Sequence, residues 1–437
     1  MARRHGAVLG CWVAFLTSGT SLIAQVLTPP ALSTEVNNTA APVVQINPTD
    51  SSPVAEEGRA VAPEVRRLHY QLKLDLRATY DDNVTLSSHN ELSDFYIRID
   101  PSIVVSFGDD NQEGANFVSF EYDPDVVIFF DHSEFDTVQH VLQLQAQSNF
   151  SRLTVDLNER AQFLHGADVN QPTSTGTFVN AVNLDVRGRP RVNLFDTQLT
   201  ATYDFSGKTS VAAGFQHSVS DYSDFISSQR LLGNLFLNYA YGPKLNIGAG
   251  GSVGREFVDE PTPDQTFEQI NVRASYELTG KLMSHGSVGV EIRQFDGGRG
   301  DHVSPVFELG LDYTPFDGST FSLSGTRSNS SSASLAGQDF ASTQILASVR
   351  QRFLQRFFAS LTGGYQNQTY FGATAFVDST RVDNYYFIQP AIDVKITRYW
   401  YVGGYYLHRQ NDSSDLFFGD AFAFDENQAG IRSTLNF

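Results

Sequence analysis

From Leu68 the chain alternates without an error for thirteen residues: Leu68, Tyr70, Leu72, Leu74, Leu76, Ala78 and Tyr80 are apolar, and His69, Gln71, Lys73, Asp75, Arg77 and Thr79 between them are polar. A strand sends successive side chains to opposite faces, so this stretch reads as a strand with one apolar and one polar face. Phe95, Ile97, Ile99, Ile103, Val105 and Phe107 repeat the pattern around Arg98, Asp100, Ser102 and Ser106. Comparable runs begin near Val118, Val138, Leu153, Leu199, Val211, Leu231, Leu245, Ile270, Leu282, Val303, Phe321, Ile345, Phe357, Tyr386, Trp400 and Ala429, and no amphipathic helix interrupts them.

Tight turns punctuate the runs at Ser206-Gly207-Lys208, Gly242-Pro243-Lys244, Thr279-Gly280-Lys281, Phe316-Asp317-Gly318, Leu354-Gln355-Arg356 and Thr397-Arg398-Tyr399. Positions 208, 244, 281, 318, 355 and 398 are separated by 36, 37, 37, 37 and 43 residues. A hairpin repeat of this period leaves room for two long strands, a short turn and a longer loop. This asymmetry belongs to transmembrane barrels, with short periplasmic turns and longer extracellular loops. Both chain ends should face the periplasm, with outer loops at 81–94, 129–135 and 158–191. The parity then requires 18 strands, provided 158–191 holds no full crossing, with 16 as the alternative. The expected fold is an all-β, antiparallel, up-and-down transmembrane barrel over 67–437. Tyr80, Phe107, Phe205, Tyr241, Phe257, Tyr276, Tyr313, Phe353, Phe357, Trp400 and Phe437 fall near strand ends, as interfacial girdles do.

Composition agrees. Only 18% of residues are charged, against about 25% in soluble domains. A net charge of −19 gives no basic footprint for nucleic acid. No apolar stretch reaches the ~20 residues a membrane-crossing helix needs. Residues 1–24 read as an export signal, with Arg3 and Arg4 before the apolar run Ala7–Leu16 and an exit near Ala24. Cys11, the sole cysteine, lies in that run, so the exported chain should have no thiol. Residues 25–66, with six prolines among Ala, Ser, Thr and Asn, should form a disordered periplasmic tether.

The last run carries Ile431, Ser433, Leu435 and terminal Phe437 on one face. This ending resembles the signal read by the outer-membrane barrel-assembly machinery. Together with Tyr80-Asp81-Asp82-Asn83-Val84 and the Gly-Lys turns, the segment from about 67 to 437 resembles the β-barrel porin type 2 family. The resemblance implies a bacterial outer-membrane pore in contact with lipid and lipopolysaccharide, accompanied in some members by exopolysaccharide export components.

On the alternation, the expected inward face includes Lys73, Asp75, Arg77, Arg98, Asp100, Arg273, Glu291, Arg293, Glu308, Arg350, Arg352 and Lys395. For each one singly, a solvated wall residue is the simpler reading, whereas together they predict a wet pore lining. Gln139, Gln143, Gln145 and Gln147 form an amide row suited to sugar hydroxyls, to which Tyr385, Phe387, Tyr401 and Tyr405 could add stacking surfaces. The long third loop contributes Arg160, Arg187, Arg189 and Arg191 as a possible constriction, the plainer reading being an external loop. Acidic groups such as Asp81-Asp82, Glu256, Asp259 and Glu260, and Asp412, Asp415 and Asp420 read as solvated loop tips with no metal-ligand spacing. Gly250-Gly251-Ser252-Val253-Gly254 matches G-x-S-x-G, but within a strand pattern instead of a strand-to-helix elbow. The expected function is passive diffusion of small hydrophilic solutes without cofactor, metal or catalytic residues. The alternatives are a conduit for exopolysaccharide export and, remotely, an outer-membrane hydrolase.

Overall fold

The computed structural model describes residues 68–108, 116–166, 182–186, 188–297, 300–372, 381–414 and 421–437, with the backbone alone of 171–172 and 178–179. The expected export signal, the tether and Arg187 lie outside the described residues. Eighteen long strands follow one another: β1 (Leu68–Asp81), β2 (Asp94–Gly108), β3 (Phe117–Phe129), β4 (Thr137–Phe150), β5 (Leu153–His165), β6 (Arg191–Ser206), β7 (Thr209–Tyr222), β8 (Ser228–Ala240), β9 (Leu245–Val258), β10 (Gln265–Thr279), β11 (Leu282–Phe295), β12 (His302–Tyr313), β13 (Ser319–Ser331), β14 (Gln338–Phe353), β15 (Phe357–Gly372), β16 (Val382–Lys395), β17 (Trp400–Ser414) and β18 (Phe424–Asn436). Each pairs antiparallel with its sequence neighbours. The ladder closes where β1 pairs with β18, from Lys73↔Asn436 to Asp81↔Gln428. Beyond it, Phe437 and Leu72 exchange backbone hydrogen bonds of 2.8 and 3.1 Å, so the ring has no terminal edge strand.

The six expected tight turns all connect strands at one end, called here the turn end, and the longer loops gather at the other. The expected third loop is narrower than 158–191. β5 continues to His165 and β6 begins at Arg191, which puts Arg160 inside β5 and Arg191 at the first position of β6. The alternation hid these strand ends because outward positions there are polar: Glu159 in β5, and Arg191 and Asn193 in β6.

The two faces separate as the alternation requires. Along β10, Ile270 points outward and is 76% exposed, whereas inward Phe267 and Gln265 are fully buried. In β1, Lys73, Asp75, Arg77, Thr79 and Asp81 are buried, and Leu72, Leu76 and Tyr80 are exposed on the outside. All eleven aromatic residues expected at strand ends lie on the exposed exterior. Most of them, from Phe107 to Phe437, ring the turn end.

Inward glycines let side chains reach across a strand. Gly403 on β17 sits between Asp393 of β16 and Arg432 of β18 in the register. Arg432 Nε donates to Asp393 Oδ1 at 2.7 Å, and its Nη2 donates to the other carboxylate oxygen. A Cβ at Gly403 would stand 2.1 Å from Asp393 Oδ1, so any side chain there displaces the pair. Gly248 plays the same part under Arg273, whose Nε and Nη2 donate to Asn238 Oδ1 at 3.0 and 2.6 Å.

One hairpin parts from the wall on its β13 side, while β14 stays laddered to β15 as far as Gln338↔Gly372. The β12–β13 ladder stops at Phe307↔Arg327, although β12 extends to His302 and β13 to Ser331. Pro305, lacking an N–H, suits β12 to this unpaired edge. Beyond Arg327 the β13–β14 tip folds into the barrel, with Asn329, Ser330, Ser331, Asp339, Phe340 and Ala341 buried on both faces of the hairpin. Behind it His302 of β12 stacks on Phe371 of β15 at 3.9 Å, closing the gap in the wall.

Replacing Gly403 with Leu should break the Asp393–Arg432 pair and lower the temperature at which the barrel loses its compact electrophoretic migration. Gly404→Ala, on the outward face where a Cβ meets its nearest atom at 3.6 Å, should leave that temperature unchanged.

Candidate functional site in the barrel lumen

The lumen divides along its axis. In the turn half of β4, β5 and β6, inward Gln143, Gln147, Asp156, Asn158, Gln198, Thr200 and Thr202 are half-buried and Gln145 is exposed, so this wall faces open lumen. The loop half is filled. Leu86, Leu164, Val182, Leu184, Val186, Val192, Tyr222, Ala333, Leu346, Tyr385, Phe387, Leu407 and Phe424 make one buried apolar cluster. Its wall residues come from β5–β7 on one side and from β14 and β16–β18 on nearly the opposite side of the eighteen-strand ring. It therefore crosses the lumen, and residues 182–186 of the third loop lie within it.

The polar counterpart is a charge network under the inturned hairpin. Arg293 of β11 donates to Glu291 (2.9 Å), Asp339 (2.8 Å) and Gln265 (3.1 Å), reaches Glu256 at 3.4 Å, and bonds the Asn329 carbonyl at 3.0 Å. Asn329 in turn donates to Glu291 (2.9 Å), and Ser331 donates to Glu256 (2.6 Å). Arg293, Glu291 and Asp339 have no solvent-accessible surface. Three strands of wall and both strands of the tip are thus tied through one guanidinium.

A second cluster fixes residues 182–186. Asp185 accepts from Ser332 Oγ (2.7 Å), Ser334 Oγ (3.1 Å), Tyr370 Oη (3.0 Å) and the Ala333 N–H. Arg381 donates to the Leu184 carbonyl (2.6 Å) and to Asp383 (2.7 Å), with its guanidinium 3.5 Å from the Phe422 ring centre. Asn183 donates to Tyr222 Oη at 2.8 Å on the β7 side.

Among the residues singled out from sequence, Lys73, Asp75, Arg77, Arg98 and Asp100 face inward and are buried, with Arg77 on Asp75 at 2.8 Å and Arg98 3.3 Å from Asp125. Glu308, Arg350, Arg352 and Lys395 face inward and are half-buried, and Arg350 lies 4.7 Å from the Phe358 ring. Gln139 donates to the His165 carbonyl at 3.3 Å and Gln143 to Asn158 at 3.2 Å.

Of the suggested arginines, Arg187 lies outside the described residues and the other three take different places. Arg160 is a wall residue of β5, Arg191 is exposed, and Arg189 lies on the Phe129 and Phe135 rings at 5.1 and 5.2 Å. The part of this loop seen inside the lumen carries Asp185 instead. Nor do the aromatics extend the amide row: Tyr385 and Phe387 are consumed in the apolar cluster, and Tyr405 bonds Thr79 at 2.7 Å. Glu256 is a buried network member and not a solvated loop tip. Asp415 and Asp420 lie outside the described residues. Leu435 and Phe437 both face outward, Phe437 being 64% exposed. Ser252 lies in mid-strand and donates to Gln269 Oε1 at 3.4 Å, so it occupies no nucleophile elbow.

A closed barrel with an apolar outer band, aromatic rims and buried charges inside fits only a bilayer as its surroundings. The barrel spans a membrane. Single-chain barrels of this kind are bacterial outer-membrane proteins. No protein-family model matches the chain, and no curated protein matches it. Among solved structures it is similar to OpdK of Pseudomonas aeruginosa, crystallised with vanillate, at 11% identity and a TM-score of 0.40, covering 84% of this chain and 99% of that one. It is also similar to OccAB4 of Acinetobacter baumannii (10%, 0.42, 84% and 98%) and to the FrpB iron transporter of Neisseria meningitidis (7%, 0.44, 84% and 81%). These likenesses concern the barrel alone.

Removing one partner of a buried ion network costs about 3–5 kcal/mol, whereas an exposed pair contributes about 0–1 kcal/mol. Arg293→Met should therefore lower the barrel's thermal transition strongly. Arg255→Met, which removes an outer pair with Asp296 at 2.5 Å, should barely move it in the same electrophoretic assay.

Proposed function

We propose that this protein is an outer-membrane channel through which small hydrophilic solutes diffuse passively. The observation that carries the reading is the inward wall of the turn half. It is polar, carries a neutral patch at Gln143, Gln145, Gln147 and Asn158 beside the charged Asp156, and is half-buried to exposed inside a barrel too wide for wall side chains alone to fill. Neutral amides and hydroxyls can exchange hydrogen bonds with a passing solute without trapping it. The inward charges, Lys73, Asp75, Arg77, Arg98, Asp100, Arg273, Glu291, Arg293, Glu308, Arg350, Arg352 and Lys395 among them, would keep the lining wet and polarise the route. Outward Leu435 and Phe437, paired to β1 at the closure, are suited to recognition by the barrel-assembly machinery, and the outer face to lipid and lipopolysaccharide.

A second reading, a conduit for secreted polysaccharide working with periplasmic export components, is favoured by one observation. The apolar cluster crosses the loop half, so passage of anything large requires that the chain's own residues move aside. The motif resemblance to the β-barrel porin type 2 family points the same way.

Conductance of the purified protein in planar bilayers separates the two. Steady or flickering open steps without any partner, with sugar-driven swelling of protein-bearing liposomes, are the expected outcome. Silent membranes that conduct only when export components are added would replace the diffusion channel with the conduit.

A further inference from the structure

The outer wall should be apolar at the level of the bilayer core, and on β5–β7 it is not. Glu159 is the middle residue of β5 (Leu153–His165), six positions from either end. The register sets it beside Thr197 of β6, and Thr197 beside His217 of β7. Their chain neighbours bond one another across the lumen side, Gln143 to Asn158 at 3.2 Å and Ser218 to Asp196 at 2.6 Å, so Glu159, Thr197 and His217 point outward. The outward row one step towards the turns is Leu157, Leu199 and Phe215, and the row one step towards the loops is Ala161, Phe195 and Val219. A polar row therefore lies between two apolar rows on the lipid side. Elsewhere outward charges stand near the loop end, as Arg255 does with Asp264 and Asp296.

The row is not satisfied within its own barrel. Glu159 has no ion-pair or hydrogen-bond partner among the described residues. Gln229 of β8 donates to His217 Nε2 at 2.7 Å, which leaves the ring proton on Nδ1 as a donor. An acceptor without a donor and a donor without an acceptor thus share one face, two strands apart. Ionisable groups facing hydrocarbon are costly, and pairing them across a protein contact removes them from lipid.

We propose that this face of β5–β7 is the interface with a second copy of the chain, packed about a two-fold axis that runs along the membrane normal near Thr197. Such an axis brings each copy's Glu159 to the other copy's His217, so that the unmatched acceptor and donor meet twice. Strand tilt sets the two residues several ångströms apart in height, a step that their side chains can span. Phe195, Leu199 and Phe215, which are 37%, 41% and 46% exposed, would close around the polar centre. The interface needs the bilayer but is independent of what crosses the lumen.

The experiment uses the full exported chain in its own membrane. Cys11 is the only native cysteine and lies in the expected export signal, so an introduced thiol has no competitor. Under an oxidant, Thr197→Cys should give a disulfide-linked pair that reduction separates. Ile345→Cys, outward on β14 at nearly the opposite side of the ring and 52% exposed, should stay single. Adding Glu159→Leu to Thr197→Cys should slow pairing about tenfold, the scale of a polar contact in lipid. Adding Glu159→Gln, which keeps an acceptor, should restore most of it. Compact, heat-modifiable migration confirms that each variant is a folded barrel. Absence of pairing at Thr197→Cys, pairing no faster than at Ile345→Cys, or pairing indifferent to Glu159→Leu would each overturn the two-fold interface. An adduct of Thr197→Cys with a different protein would replace the second copy with that partner.

Discussion

Everything in this molecule follows from the absence of water in hydrocarbon, where an unpaired backbone N–H or C=O costs several kcal/mol. The β1–β18 ladder answers that constraint by joining the two ends of the sheet, down to the pair of bonds between Phe437 and Leu72. Closure fixes the side-chain pattern in turn. With the ring closed and two faces to satisfy, every second residue must be acceptable to lipid and the rest must be acceptable to whatever fills the centre.

Eighteen strands make that centre too wide for wall side chains alone. The chain uses both available solutions, one at each end. The turn half leaves half-buried amides and hydroxyls to water. The loop half borrows protein from its own connections, and this is possible only because the wall there is allowed to break. Pro305 suits β12 to an edge, the β13–β14 tip turns inward, and His302 on Phe371 seals the opening. Burying charged walls against the borrowed segments then demands partners for each charge. Arg293 gathers Glu256, Glu291 and Asp339 from three elements for that reason.

The strands were legible because lipid is an unforgiving selector of outward residues: all eighteen starting runs correspond to observed strands, and the six tight turns lie where the repeat put them. Precision fell at the loop end, where β6 begins at Arg191 instead of near Leu199 and β14 begins at Gln338 instead of near Ile345. Strands there carry polar outward residues such as Arg191, Asn193 and Thr343, and apolar inward ones such as Leu346 and Leu407, the reverse of the rule that identifies the rest. The filled lumen was hidden for the same cause. Tyr385 and Phe387 looked like open stacking surfaces because nothing local says that Val182, Leu184 and Val186 will pack on the inward wall. Asp185 and Arg381 are separated by a long stretch of chain, and only the folding of 182–186 into the barrel brings them to one cluster. A weak signal was available in the run Ser328–Ser334. Its small, mostly polar residues offer no apolar outward face, which a strand meeting lipid at that level would need.

The division of the lumen also explains why so acidic a chain can hold so many arginines inside. A guanidinium offers five donors in a plane, so it can bond several strands and still lie flat on a ring, as Arg273 does on Phe236 at 4.1 Å and Arg381 on Phe422. Flat side chains need flat ground, and Gly248 and Gly403 supply it by removing the one Cβ that would lift the guanidinium off the wall. A lysine in these places would present a point charge on a flexible stem, unable to span a strand and bond both sides of it. The glycine-rich strands and the buried arginines are therefore one device. It lets a thin wall carry its polar contacts sideways within the barrel, keeping the centre free for water at one end and for the borrowed chain at the other.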